Sequence, residues 1–364
     1  MSHHGTARRM MTILMIAWLM IAPWPLLKAA SEGAIEICFV PAACNPVLVP
    51  GEPGAWDGGV VFLPKVVRSD DTIYLFYSAT TGRGAEMGPP AIGLAASSDG
   101  LAFAKFADNP ILEPDGDGFD AYGVSEVVPF FVGTQWVLLY NGRAEEGHGP
   151  GRSIGRAAAP DPKGPWEKDP SPISTTGPVG AWDSGFVSPN CVVATNEGYV
   201  LYYSGGTSFD SEVPKRLGLA TSPDGLVWTK YNDPETTETA FAESDPILEL
   251  GPEASFDSLA AWEASVWRTD SGWAMIYEGI GPAESEIGRA TQLGYATSSD
   301  GIDWQKCHEN PILQRGIEPL AESFGVEVPS VVGIDDITYL YYGYGLHIGA
   351  IGVALGTILT LPSE

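Results

Sequence analysis

The chain is short of positive charge. Its 19 lysines and arginines stand against 46 aspartates and glutamates, a formal net charge of −27 over 364 residues. No Lys/Arg cluster breaks that balance locally, so phosphate backbones and anionic membrane surfaces are repelled, and neither is expected as a partner. Cysteine is also scarce. Cys38, Cys44, Cys191 and Cys307 form no CxxC or Cys/His spacing, so neither a metal site nor a cofactor is expected. Cys38 and Cys44 invite a disulfide, but Cys38 falls on an expected strand, and six further residues along it would be too far to bridge. Beyond the N-terminus no stretch carries a long apolar stripe at helical period, which argues against a helical class.

The N-terminus is the exception. Arg8 and Arg9 precede an apolar run from Met10 to Leu27, and the small residues Ala29, Ala30 and Ser31 follow. This is the organisation of an export signal over residues 1–31, with a mature chain from about Glu32 that is secreted, periplasmic or held at the cell surface. An uncleaved run would instead anchor the chain in a membrane, a reading that Pro23 and Pro25 weaken.

What the chain does have is turn residues and aromatics: Gly 44, Pro 30, Trp 11, Tyr 14 and Phe 13. Turn formers separating aromatic and β-branched runs predict many short strands, hence an all-β class. A repeat organises them. Asn45-Pro46-Val47-Leu48, Asn109-Pro110-Ile111-Leu112, Asp245-Pro246-Ile247-Leu248 and Asn310-Pro311-Ile312-Leu313 are copies of one element, with a degenerate Ser171-Pro172-Ile173 between them. After most copies comes an aromatic-acid pair: Trp56-Asp57, Phe119-Asp120, Trp182-Asp183 and Phe256-Asp257. Then follow an apolar strand, an aromatic-rich strand ending in tyrosine, and a strand of the form Ile-Gly-Leu-Ala. Three copies close on an Asp-Gly turn (Asp99-Gly100, Asp224-Gly225, Asp300-Gly301), a strong hairpin signal.

Four antiparallel strands per unit, repeated radially, predict a single five-bladed β-propeller domain over residues 32–364. The blades span roughly 47–112, 113–173, 174–248, 249–313, and 314–360 together with 34–46. The last unit stops after its third strand, and the chain begins with a spare fourth: Phe39 to Asn45-Pro46 has the spacing of Phe103 to Asn109-Pro110. The N-terminal strand is therefore expected to complete the last blade and leave no open edge.

In such a ring the first strands of the blades line the axis, and residues that break the repeat there are candidates for function. Glu126, Glu263 and Glu327 interrupt apolar first strands, while the other units offer Phe62-Leu63-Pro64 and Val187-Ser188-Pro189. A carboxylate there is costly unless solvated or paired, so three of them suggest a polar axial pocket; the bland reading makes each a brace to a neighbouring backbone. Glu278 follows Tyr277 where other units have Ser78, Asn141, Ser204 and Gly343. The loop after Tyr140 holds Arg143, Glu145, Glu146, His148 and Arg152, which can grip hydroxyls or simply be solvated. Trp262 can stack on a sugar face or fill space between blades. Asp57 belongs to the recurring aromatic-acid set, so a turn or brace role competes with ligand contact.

With the Tyr-x-x-Tyr-Tyr-Ser-Gly strand at Tyr199 to Gly205 and the Ser-x-Asp-Gly-x-x-Trp-x-Lys segments ending in Asn-Pro-Ile-Leu, the chain resembles the five-bladed glycoside hydrolases. These are the enzymes of the arabinanase, levansucrase and invertase kind, including families 43, 32 and 130. The resemblance implies a carbohydrate partner, a monomer, and cleavage of a glycosidic bond by inner-strand carboxylates. Glu126, Glu263 and Glu327 are then the expected acid and base or nucleophile, with Asp57, Arg143, His148, Trp262 and Glu278 expected to hold substrate. The family 43 pattern places an Asp-Pro on the first blade, where this chain has Leu63-Pro64. The alternatives are a non-catalytic propeller that binds carbohydrate or protein, and a glycoside phosphorylase using Arg83, Arg143, His148 and Arg152 for phosphate.

Overall fold

A computed structural model of the protein describes residues 35–146, 152–208, 213–282, 291–314, 325–344 and 349–360. The export segment 1–31 and His148 lie outside the described residues. The strands come in repeating sets after β1 (Ile35–Pro41). The first set is β2 (Val60–Ser69), β3 (Thr72–Thr80), β4 (Ala91–Ser97) and β5 (Ala104–Lys105). Next come β6 (Gly123–Val132), β7 (Gln135–Arg143), β8 (Ser153–Ala159) and β9 (Glu167–Lys168). The third set is β10 (Phe186–Thr195), β11 (Gly198–Gly206), β12 (Lys215–Ser222) and β13 (Thr229–Lys230). The fourth is β14 (Ala260–Thr269), β15 (Gly272–Ile280), β16 (Thr291–Ser298) and β17 (Gln305–Lys306). The last set is β18 (Glu327–Ile334), β19 (Ile337–Gly343) and β20 (Ile351–Thr360).

Each set is an antiparallel meander, and the third and fourth join into one sheet through a single parallel pair, Lys215 with Ala260. β1 runs antiparallel to β20 from Ile35 opposite Thr360 to Pro41 opposite Ala354, giving a fourth strand to the β18–β20 sheet. The first strands are neighbours in order, β2 beside β6, β6 beside β10, β10 beside β14 and β14 beside β18, and β18 packs in turn against β2. The molecule is all-β, with the sheet arrangement of a propeller.

The repeating motifs are braces, and their chemistry explains their recurrence. The acid of each aromatic-acid pair is buried and bonded twice. Tyr277 Oη donates to Asp257 at 2.8 Å while Lys306 Nζ lies beside the same carboxylate, and Tyr140 Oη (3.0 Å) and Lys168 Nζ (2.8 Å) do likewise at Asp120. Tyr77 and Lys105 hold Asp57 in the same way, at 3.4 and 2.6 Å. The glycine of the third strand is required because the tyrosine ring lies over it: a Cβ on Gly294 would meet Tyr277 Cζ at 2.5 Å, and one on Gly93 would meet Tyr77 Cζ at the same distance. The Asn of Asn-Pro clasps the third strand. Asn109 donates to Leu94 O (2.9 Å) and Tyr77 Oη (3.2 Å), and Leu94 N donates back to its Oδ1. Asn45, at the other end of the chain, makes the corresponding bonds to Val353 O (2.9 Å) and Tyr342 Oη (3.3 Å).

The Asp-Gly turns hold themselves together. Ser97 Oγ accepts from Gly100 N at 2.9 Å, Asp99 Oδ1 accepts from Leu101 N at 2.8 Å, and Gly100 takes a φ of 75° that a side chain would resist. All four cysteines are free, and the exposed Cys38 and Cys44 remain unbridged.

Candidate active site

The site is made by a shared irregularity in the first strands. Each loses register with its second strand within one residue of the same place: after Phe62, Ser125, Trp262 and Glu327, and one residue later, after Pro189, in β10. Such bulges insert a residue that cannot pair and re-aim its side chain. The pair Phe62–Ser78 aligns with Ser125–Asn141, Ser188–Ser204, Trp262–Glu278 and Glu327–Gly343, which puts Glu126 and Glu263 at one equivalent position and Glu327 one residue earlier. Glu126 has a φ of 51° and Glu263 a φ of 36°, a left-handed conformation that costs on the order of 1–3 kcal/mol and persists only where neighbours enforce it.

The enforcing bonds come from the preceding unit. Ser78 Oγ accepts from Glu126 N at 3.1 Å, Ser204 Oγ accepts from Glu263 N at 3.0 Å, and Glu278 Oε2 accepts from Val328 N at 2.8 Å. Glu278 therefore does the work that serine does elsewhere, and its Oε1 accepts from Trp262 Nε1 at 3.0 Å. Sequence reasoning expected Glu278 and Asp57 to meet a ligand; the structure commits both to bonds within the protein, Glu278 to the bulge of β18 and Asp57 to the Tyr77–Lys105 brace. Trp262 is half-buried, with Lys215 Nζ 5.6 Å from its ring centroid and Phe186 edge-on at 6.3 Å, so protein already covers part of its ring.

The acids are brought together with cations. Glu126 is buried, with Arg152 Nη1 3.8 Å from its Oε1 and the charges of Arg143 and Lys65 also acting on it. Its Oε2 has no hydrogen-bond partner among the described residues. Burial raises the Glu126 carboxyl above its usual range, and the three cations oppose that rise. Glu263, only 3% exposed, is pushed up to about 8, first by burial and then by the negative charge of Glu126, with Lys65 opposing. With its amide turned to suit its neighbours, Asn190 donates to Glu263 Oε2 at 3.0 Å and accepts from Ala264 N at 3.2 Å. Glu327 is half-buried at the edge of the group, and burial among the surrounding atoms takes it up to about 7. Burial also lowers Arg152 to about 10.

Two carboxyls in one cluster are thus held differently. Burial raises both, but Glu126 faces cations that oppose the rise, whereas at Glu263 the negative charge of Glu126 adds to it. Sequence reasoning found the three glutamates, Arg143 and Arg152. It missed Lys65 and Asn190, although a lysine directly after Pro64 on an apolar strand was a visible signal.

This pattern has a consequence for stability. Between the ordinary carboxyl value near 4.3 and about 8, folded Glu263 binds a proton that the unfolded chain has released, so stability falls as pH rises through that window. The melting temperature should decline from pH 5 to 8, and Glu263→Gln should flatten the decline. An unchanged slope in the variant would show that Glu263 is ionised throughout.

No protein family profile matches the chain. An uncharacterized protein of Mycobacterium tuberculosis is 27% identical over 270 residues, covering 70% of this chain and 78% of that one. Among solved structures, one comes from the family 130 mannoside phosphorylases, described as containing glycoside hydrolases that target β-1,2-mannosidic linkages in Candida mannan. The match is 19% identical and spans 93% of this chain and 99% of that one, with a TM-score of 0.65. A β-1,2-mannobiose phosphorylase of Listeria innocua, solved with β-1,2-mannobiose, is 14% identical over 88% of this chain and 96% of its own, with a TM-score of 0.63. At these identities the likeness establishes the fold: the chain shares the propeller of glycoside hydrolases and glycoside phosphorylases.

Proposed function

We propose that this chain is a single five-bladed β-propeller, closed by β1, that cleaves glycosidic bonds at the glutamate cluster on its first strands. The observation that carries the reading is the pairing of two equivalent buried bulge residues in different surroundings: the negative charge of Glu126 adds to burial in favouring the proton of Glu263, whereas Arg152 and Arg143 work against the rise that burial imposes on Glu126. Glu263 donates a proton to the leaving oxygen, and Glu126 activates water or attacks the sugar, their separation along the bound substrate deciding inversion or retention. Glu327, half-buried at the edge, contacts the sugar.

A second reading draws on the arginines. Arg143 and Arg152 both act on Glu126, and the charge of Arg143 helps to lower Arg152, so two guanidiniums share one corner of the site. Such a corner suits a phosphate as the attacking group in place of water. The likeness to family 130 includes both hydrolases and phosphorylases.

One experiment separates these readings. Purified protein is incubated with aryl glycosides and oligosaccharides, β-1,2-mannobiose among them, with and without inorganic phosphate. Free sugar released in both conditions supports hydrolysis, and sugar phosphate formed only with phosphate supports phosphorolysis. A glycan that binds without turnover would make the chain a binding module and remove the catalytic reading.

The export reading of residues 1–31 is part of the same proposal, since a glycan-directed enzyme of this charge suits the cell exterior. N-terminal sequencing of the exported protein should begin near Glu32. An intact Met1 in a membrane fraction would favour the anchor instead.

A further inference from the structure

The position three residues beyond the aligned residues Phe62, Ser125, Ser188, Trp262 and Glu327 is Lys65 in β2, Val128 in β6, Cys191 in β10, Ser265 in β14 and Ser330 in β18. The serines use this place to tie the sheets together: Ser265 Oγ accepts from Val331 N at 3.1 Å, and Ser330 Oγ accepts from Val66 N at 2.8 Å. Nothing in that packing calls for a cation, yet Lys65 is buried there, 6% exposed. Its Nζ makes one long hydrogen bond to Pro329 O in β18, at 3.4 Å. Around it stand Glu263 from β14, Cys191 from β10, Glu126 from β6 and Glu278 from β15.

These acids are not equally supplied with counter-charge. Glu126 has Arg152 and Arg143 as well as Lys65. Glu263 has neutral partners in Asn190 and Ser204 and acidic neighbours in Glu126 and Glu327, and of the cations acting on it Lys65 acts most strongly, with Arg152 reaching it as well. We propose that Lys65 is the positioning residue for Glu263: its ammonium is the counter-charge that decides whether Glu263 meets a ligand as carboxylic acid or as carboxylate.

The inference rests on the reading of Glu263 as proton donor and gives that proton a control. Burial pulls the Lys65 ammonium below its ordinary value, and the facing carboxylates pull it back. Its charge in turn restrains the rise of Glu263 that burial and Glu126 produce. Without it Glu263 loses its strongest favourable charge and keeps its proton to higher pH. The competing role is purely structural, a bond from β2 to β18 through Pro329 O.

The test needs no substrate. Isotope-labelled glutamate side-chain carboxyls are titrated by NMR, with the Glu263 signal assigned by its disappearance in Glu263→Gln. In Lys65→Met, and in Lys65→Gln, which keeps an N–H donor, the Glu263 titration should move upward by about one pH unit. In Lys65→Arg, which keeps the charge, it should stay close to wild type. A Glu263 titration unmoved or lowered in both the Met and Gln variants, whatever the change in melting temperature, would overturn the proposal and leave Lys65 a seam bond. Because no turnover is measured, this result stands or falls apart from the glycosidase reading. On a confirmed substrate, the alkaline limb of kcat/KM should shift upward in step with the Glu263 titration.

Discussion

Glu263→Gln should lower turnover on a confirmed substrate by about 10²–10⁴-fold while leaving the fold intact. The amide keeps the shape and can still accept from neighbours, but it cannot release a proton to a leaving oxygen. Glu126→Gln should lower turnover comparably and should also disturb Arg152, whose Nη1 lies 3.8 Å from Glu126 Oε1. The two variants are expected to differ in pH dependence, because burial and the charge of Glu126 push Glu263 up to about 8, whereas three cations oppose the rise that burial imposes on Glu126. If both variants, together with Glu327→Gln, kept wild-type turnover, the glutamates would be structural braces. Glu278→Gln serves as a contrast. Its carboxyl bonds Trp262 Nε1 and Val328 N, so its loss should show chiefly in stability.

A chain that starts at Val47 should melt far below one that starts near Glu32. The truncation strips β1 from β20 along the whole pairing from Ile35 to Pro41 and leaves the β20 edge bare. It removes Phe39, which is buried in one core cluster with Leu340, Tyr342 and Ala354, and the Asn45 clasp on Val353 and Tyr342. Loss of a buried phenylalanine alone costs about 3–5 kcal/mol, a large part of the roughly 5–15 kcal/mol by which domains are stable. Equal melting temperatures for the two chains would mean that β1 contributes nothing to closure.

The fold was legible because its parts repeat. Tyr277, Gly294, Asp257, Lys306 and Asn310 form one connected brace, and its acid and tyrosine recur 20 residues apart in four units, because removing either leaves the other's partners unsatisfied. The N-terminal strand was legible for the same reason, through the Phe39 to Asn45 spacing. The candidate site was legible only in part. Glu126 and Glu263 stand out because carboxylates are costly on apolar strands, but their equivalence depends on a bulge that no composition or period reveals. Lys65 and Asn190 passed unnoticed because their importance is a matter of what lies across the ring. Glu278 misled in the opposite direction: it breaks the repeat in residue type while filling the same latch position as Ser78 and Ser204.

The central claim is that Glu263 and Glu126 flank the bond to be cleaved. It is tested most directly by a crystal structure of Glu263→Gln with an oligosaccharide that the wild-type protein cleaves. The account predicts that the glycosidic oxygen lies within hydrogen-bond reach, about 2.6–3.2 Å, of the side chain at 263, with Glu126 on the side of the sugar from which water, phosphate or the carboxylate itself attacks. A sugar chain bound with its scissile bond out of reach of residue 263, or seated away from the first strands, would contradict it.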